Sequence, residues 1–191
     1  MNAFALTPRE RFAGPGPWKI FTATGYVETP TEDPAFLYQD VLVAIAAERR
    51  INIGQPVLHA ICLAALNVKE GESIVHIGAG TGYYTALLAK LAGQTGSVVA
   101  YEIEEDLAER ATQNLGDCSN VTVRHRSGSE GPIPECDSIY VNAGATAPLD
   151  VWGRLAPEWT IALSADSRGW SGGHAGRRRN AFDNACLKRS L

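Results

Sequence analysis

A chain of 191 residues with a net charge of −4, 45% hydrophobic and 20% charged residues has the length of one domain around one core, and its composition excludes a disordered or fibrous polymer. The acidic balance argues against nucleic acid or an anionic membrane as the partner of the whole molecule. Four cysteines with no CxxC pair and no close histidine argue against a zinc site and a disulfide framework, so no metal is expected and reduced thiols point to a cytoplasmic protein.

The first residues, MNAFALTPRERF, hold no apolar run of signal length, and no stretch approaches the roughly 20 apolar residues that span a bilayer. The chain is expected to be soluble and unexported. Residues 1–35 contain GPGPW and ETPTEDP, a composition that favours turns, and read as an N-terminal arm outside the domain. From Phe36 to about Ala47 the apolar residues Phe36, Leu37, Val41, Leu42, Ala44 and Ile45 recur at helical spacing, which predicts an amphipathic helix. After a break at Ile51 to Gln55, Pro56 suits a first helical position and opens a mostly apolar helix to Leu66. His59 lies within it, and a lone histidine there reads more readily as a packed or solvated side chain than as a substrate-facing one.

Beyond the turn at Lys69 to Glu72, strands and helices alternate: strand 73–77, helix 84–91, strand 97–101, helix 105–115, strand 121–125, strand 138–141, helix 149–155 and strand 160–163. This order implies an α/β fold, Rossmann-like, with a mostly parallel, doubly wound sheet and helices on both faces, over residues 36–163. Ligands of such sheets bind beyond the carboxyl ends of the strands, where strand order reverses.

Gly78-Ala79-Gly80-Thr81-Gly82 follows an apolar strand and precedes a helix, the context in which a glycine loop lets a ligand touch backbone. Twenty residues past Gly82, Glu102 ends the next strand, where a carboxylate can accept hydrogen bonds from both hydroxyls of an adenosyl ribose. Dinucleotide enzymes show GxGxxG, whereas Tyr83 occupies the sixth position here and would obstruct the seat of a pyrophosphate. The loop is read as that of a class I methyltransferase using S-adenosyl-L-methionine. The plainer reading, a tight turn without a ligand, leaves Glu102 unexplained.

With these residues in view, the segment from about Leu37 to Trp159 resembles the protein-L-isoaspartate O-methyltransferase family. INIGQPVLHA stands before the cofactor strand, the glycine loop is followed by Tyr and TALLAKL, and IYVNAGATAP follows the acidic strand end, all in the family's order. The resemblance implies transfer of a methyl group from S-adenosylmethionine to the carboxylate of isoaspartyl residues in damaged peptides or proteins; a monomer is expected. It places Gly78, Ala79, Gly80, Thr81 and Gly82 along the methionine part of the cofactor and Glu102 on the ribose. Ser127 and Gly128 fall at the adenine, Asn142 to Ala145 beside the transferring methyl, and Ile53, Gly54, Gln55 and Pro56 on the substrate-side wall, where their role is positioning. The ionised acceptor is already a nucleophile, so no general base is required.

The sequence departs from the family at four places. Gly54 replaces a hydroxyl residue that sits near the substrate carboxylate, with Asn52 or Thr146 as stand-ins. His76 replaces an acid two residues before the first glycine, and Ser127 replaces an acid at the adenine, so weak cofactor binding is expected. Residues 164–191 form the fourth. From Arg168 on, six basic residues face one acid, giving +5 against −9 for the rest. The Ser, Gly and Arg content there predicts a basic flexible tail and a sheet incomplete at its C-terminal edge. Truncation, a shifted reading frame and a genuine tail for an acidic partner all fit it. Two further functions stay open: a methyltransferase with another acceptor, and a non-catalytic protein of the same fold.

Overall fold

A computed structural model describes residues 3–143, 152, 159–163 and 186–189. Its frame follows from apolar runs that leave no polar face. Strand β5 (Ser73–Ile77) is buried along four of its five residues and β8 (Ser138–Val141) along all four, the signature of central strands covered on both sides. With β6 (Ser97–Glu102), β7 (Val121–His125), β9 (Trp159–Leu163) and β10 (Cys186–Arg189) they form one sheet in the order β10-β9-β8-β5-β6-β7. All neighbours are parallel except β9 and β10.

Period-two alternation sends β5 side chains to opposite faces. Ile74 joins the core beneath α2 (Pro56–Leu66) and α3 (Tyr83–Ala92), while Val75 and Ile77 pack with Tyr101, Ile139, Val141 and Trp152. Helix α4 (Glu105–Asn114) turns Leu107, Ala108 and Ala111 inward. The chain runs outward from β5 through β6 to β7 and then returns to β8 on the other side of β5. Strand order therefore reverses between β5 and β8. Ile77 stands level with Tyr101 on one side and Val141 on the other, so the segments that follow these strands emerge together at one edge.

The strand and helix alternation expected from residue 73 onward is present through β8. The expected helix at 149–155 lies outside the described residues apart from Trp152. Residues 186–189, within the segment read as a basic tail, pair as β10 along β9; residues 164–185 are outside the described residues.

The structure differs from the sequence reading before residue 56. No helix covers 36–47: a 3-10 turn, Pro34–Leu37, is capped by the Asp33 carboxylate accepting from the Ala35 N–H at 2.9 Å, and the chain then extends into β3 (Ala44–Ala46). That strand pairs antiparallel with β4 (Ile51–Asn52). Val41, Val43 and Ile45 are β-branched and alternate, which suits extended backbone as well as their spacing suits a helix. The tie is broken by distant partners, because the carbonyls of Leu37, Gln39 and Val41 accept from Arg9 instead of from a helical turn. The segment read as an arm contains α1 (Glu10–Ala13) and the hairpin β1 (Lys19–Thr22) and β2 (Gly25–Glu28). Phe12 and Trp18 are buried in the same core as α3.

Candidate cofactor site

The loop after β5 has three glycines at φ +81° (Gly78), +57° (Gly80) and +95° (Gly82), a left-handed region that side chains enter only with strain. Space is as tight as the torsion. A Cβ on Gly78 would fall 2.8 Å from the Ala143 nitrogen, and one on Gly82 would fall 2.8 Å from Leu115 Cδ1. The loop is tied to β6 by the N–H groups of Gly78 and Ala79, both donating to the Tyr101 carbonyl at 2.9 and 3.0 Å.

Glu102, only 6% exposed, sits at the end of β6 against this loop. Its Oε2 accepts from the Gly80 N–H at 2.6 Å, and its Oε1 accepts from Ile103 at 2.9 Å and Glu104 at 3.0 Å. Charge-assisted bonds to three amides hold the carboxylate at the carboxyl ends of β5 and β6. Beside it, Thr81 is buried and its hydroxyl has no hydrogen-bond partner among the described residues, an exception among buried polar groups.

Asn142, after β8, donates its backbone N–H to the Ile77 carbonyl at 2.8 Å, which puts it directly beside Gly78. Gly128, after β7, approaches β5 closely enough that a Cβ would lie 2.7 Å from Ile77 Cγ2, and its carbonyl accepts from the Trp152 indole at 2.9 Å. Ser127 bonds within its own loop, to the Ser129 hydroxyl at 2.6 Å and the Ser129 N–H at 3.2 Å. Gly78, Ala79, Gly80, Thr81, Gly82, Glu102, Gly128 and Asn142 thus gather at the point where strand order reverses, with Ser127 on the rim.

Ile53, Gly54, Gln55 and Pro56 reach the loop indirectly. Gly54 lies against His59, and His59 stacks on Tyr84, the second residue of α3, with centroids 3.7 Å apart and planes at 18°. The wall is held from outside by Asp40, which accepts from Gln55 Nε2 at 2.7 Å and from the Val57 N–H at 2.9 Å.

His59 is a packed residue, 1% exposed, bonded through Nδ1 to the Tyr140 hydroxyl. His76 is wholly buried, and its Nδ1 shares a 2.8 Å hydrogen bond with Thr85 of α3. Burial pushes the pKa of both to about 3, with neighbouring His76 and Arg9 adding to the effect at His59. Both are neutral near pH 7, so His76 supplies no counter-charge to a ligand ammonium, and neither acts as a charged group in the site. Tyr84, Thr85, Tyr140, Asp40 and Arg9 were not singled out in the sequence, since nothing local to them marks them. Among the described residues no group of three or more His, Cys, Asp or Glu is placed to hold a metal ion, and no helix is long and apolar enough to cross a membrane.

Residues 19–155 match the model of the family described as protein-L-isoaspartate(D-aspartate) O-methyltransferase. The chain is 34% identical over 127 residues to the protein-L-isoaspartate O-methyltransferase of Brucella anthropi (65% of this chain, 54% of that protein). It is 37% identical over 142 residues to that of Anaeromyxobacter dehalogenans strain 2CP-1 (67% and 66%). It spans about half the length of most curated relatives it matches. A solved protein-L-isoaspartate O-methyltransferase superposes with a TM-score of 0.70 at 24% identity, covering 85% of this chain and 49% of that one. A beta-aspartate methyltransferase from Plasmodium falciparum, solved with S-adenosyl-L-homocysteine, superposes with a TM-score of 0.60 at 22% identity (72% and 70%). These two likenesses show the Rossmann-like α/β fold.

Proposed function

The chain belongs to the protein-L-isoaspartate(D-aspartate) O-methyltransferase family, and from that premise we propose that it binds S-adenosyl-L-methionine and methylates the carboxylate of isoaspartyl residues in damaged peptides or proteins. The observation that carries the reading is the Glu102 carboxylate held on the Gly80 N–H at the strand reversal, inside the matched segment. The local fit supports it: the three left-handed glycines let the loop fold tightly where Cβ atoms would crowd Ala143, Ile45 and Leu115, which leaves its backbone as the surface beside Glu102, and Thr81 brings a buried hydroxyl with no partner among the described residues.

In this reading Gly78, Ala79, Gly80, Thr81 and Gly82 hold the methionine portion of the cofactor, Glu102 takes the ribose hydroxyls, Ser127 and Gly128 border the adenine, and Asn142 lies near the transferring methyl. The bound cofactor supplies a sulfonium methyl, which an acceptor carboxylate oxygen takes as the carbon–sulfur bond breaks, leaving a methyl ester and S-adenosylhomocysteine. The protein's part is alignment and exclusion of water, because the acceptor is ionised at neutral pH and needs no proton removed. Ile53, Gly54, Gln55 and Pro56 form the acceptor side, braced by Asp40. The acidic balance supports a protein that works without nucleic acid; a monomer in the cytoplasm is part of the same proposal.

The test is incubation of the full chain with an isoaspartyl peptide and methyl-labelled cofactor. A base-labile methyl ester on the peptide is expected. Cofactor binding without ester favours a different acceptor, the reading that Gly54 supports by removing the family's hydroxyl. No thermal shift with saturating cofactor leaves a non-catalytic protein of this fold.

A further inference from the structure

Arg9 lies ahead of the segment that matches the family, residues 19–155, yet it is only 1% exposed. The four N–H groups on its terminal nitrogens meet four backbone carbonyls. Nη1 donates to Leu37 at 2.7 Å and Gln39 at 3.5 Å, and Nη2 donates to Val41 at 2.9 Å and Gly54 at 2.7 Å. Among the described residues no carboxylate lies within ion-pair distance of it. A buried guanidinium without a counter-ion is unfavourable unless its donors are satisfied; these carbonyls take its four terminal N–H groups, while the buried Nε meets no hydrogen-bond partner among the described residues. The planar fork also fixes where they stand.

The partners belong to two separate stretches, 37–41 and Gly54. The first also carries Asp40, whose carboxylate holds Gln55 Nε2 and the Val57 N–H. The Gly54 N–H is taken by Asn52 Oδ1 at 2.8 Å. Residues 53–56 are therefore gripped at Gly54 by Arg9 and at 55–57 by Asp40, and both grips run through the same loop. Losing Arg9 frees the loop and the wall together.

We propose that Arg9 is a positioning residue for acceptor recognition: without touching the acceptor, it sets the place of the 53–56 wall through the Gly54 carbonyl and the 37–41 loop. This rests on the acceptor-side assignment of 53–56 above. The full chain is compared with Arg9→Met, which keeps length and loses every donor, and Arg9→Lys, which keeps the charge with three donors that cannot span four carbonyls. The expected result is a KM for an isoaspartyl peptide raised at least tenfold in Arg9→Met and less in Arg9→Lys, with kcat and the S-adenosylhomocysteine Kd within about twofold of the parent. An unchanged KM overturns the proposal, as does a KM that rises in step with the S-adenosylhomocysteine Kd, since that marks general loosening. Should Arg9→Met fail to fold, Arg9→Lys carries the comparison. If the parent chain itself forms no ester, the acceptor assignment fails on its own, and amide exchange then decides the clamp. Faster exchange at Ile53 and Gly54 than at β5 in Arg9→Lys supports it, and equal acceleration overturns it.

Discussion

A side chain at position 54 and the imidazole of His59 would occupy the same space: the Cβ site of Gly54 falls 2.1 Å from His59 Nε2. The imidazole has no slack to yield, because it is stacked on Tyr84 and bonded to the Tyr140 hydroxyl. The hydroxyl residue that the family resemblance puts at this position would have to displace that imidazole. Gly54 also sits at φ +88°, which adds torsional strain to any replacement. Gly54→Ser is expected to lower unfolding stability by about 2–4 kcal/mol, from overpacking and strain together. Urea denaturation at neutral pH measures it. In a double-mutant cycle with His59→Ala the two sites should couple by at least about 1 kcal/mol, and additive losses would contradict the overlap.

Stability should fall with acid well before the carboxylates titrate. His59 and His76 are held near pKa 3 in the fold, against about 6.5 when unfolded. Between those values the unfolded chain binds protons that the native chain refuses, so their contribution is full above about pH 7 and is lost as pH falls from 6.5 toward 3. For two such groups the slope approaches roughly 2.7 kcal/mol per pH unit. Urea midpoints at pH 7.5, 6.5 and 5.5 read it, and a flat profile over that range would falsify the account.

Glu102→Gln keeps the shape and removes the charge. One amide oxygen remains to meet the donors of Gly80, Ile103 and Glu104, and the new amide NH2 faces donors. A stability loss of about 1–3 kcal/mol is expected, together with a weakening of S-adenosylhomocysteine binding by at least tenfold. Calorimetric titration of the folded variant tests this, and parent-like affinity would remove Glu102 from the ligand.

Thr81→Val separates folding from binding. The buried hydroxyl has no partner among the described residues, so its removal is expected to leave stability unchanged or raise it by up to about 1 kcal/mol. If the hydroxyl serves a ligand, affinity for S-adenosylhomocysteine falls severalfold in the same variant. A clear loss of thermal stability without ligand would show instead that the hydroxyl is already satisfied.

Much of the site is legible in the sequence because its signals are local. Left-handed torsions at Gly78, Gly80 and Gly82, a strand before them, a helix after them and an acid at the end of the next strand all lie within 30 residues. The segment 36–47 shows where such reading fails. Phe36, Leu37, Val41, Leu42 and Ile45 satisfy a helical period, but helical hydrogen bonds lose here to a guanidinium 28 to 32 residues away. Composition likewise marks residues 1–35 as turn-rich without revealing that Phe12 and Trp18 enter the core.

From the sequence alone come the α/β alternation, the glycine loop and Glu102, since each depends on residues close along the chain. The grip of Arg9 on Gly54, the exclusion of any side chain at 54 by His59, and the pairing of β10 with β9 belong to the tertiary structure. They join positions that approach only after the chain has closed. Periodicity records which face of an element is apolar, and it carries no record of which distant group will meet it.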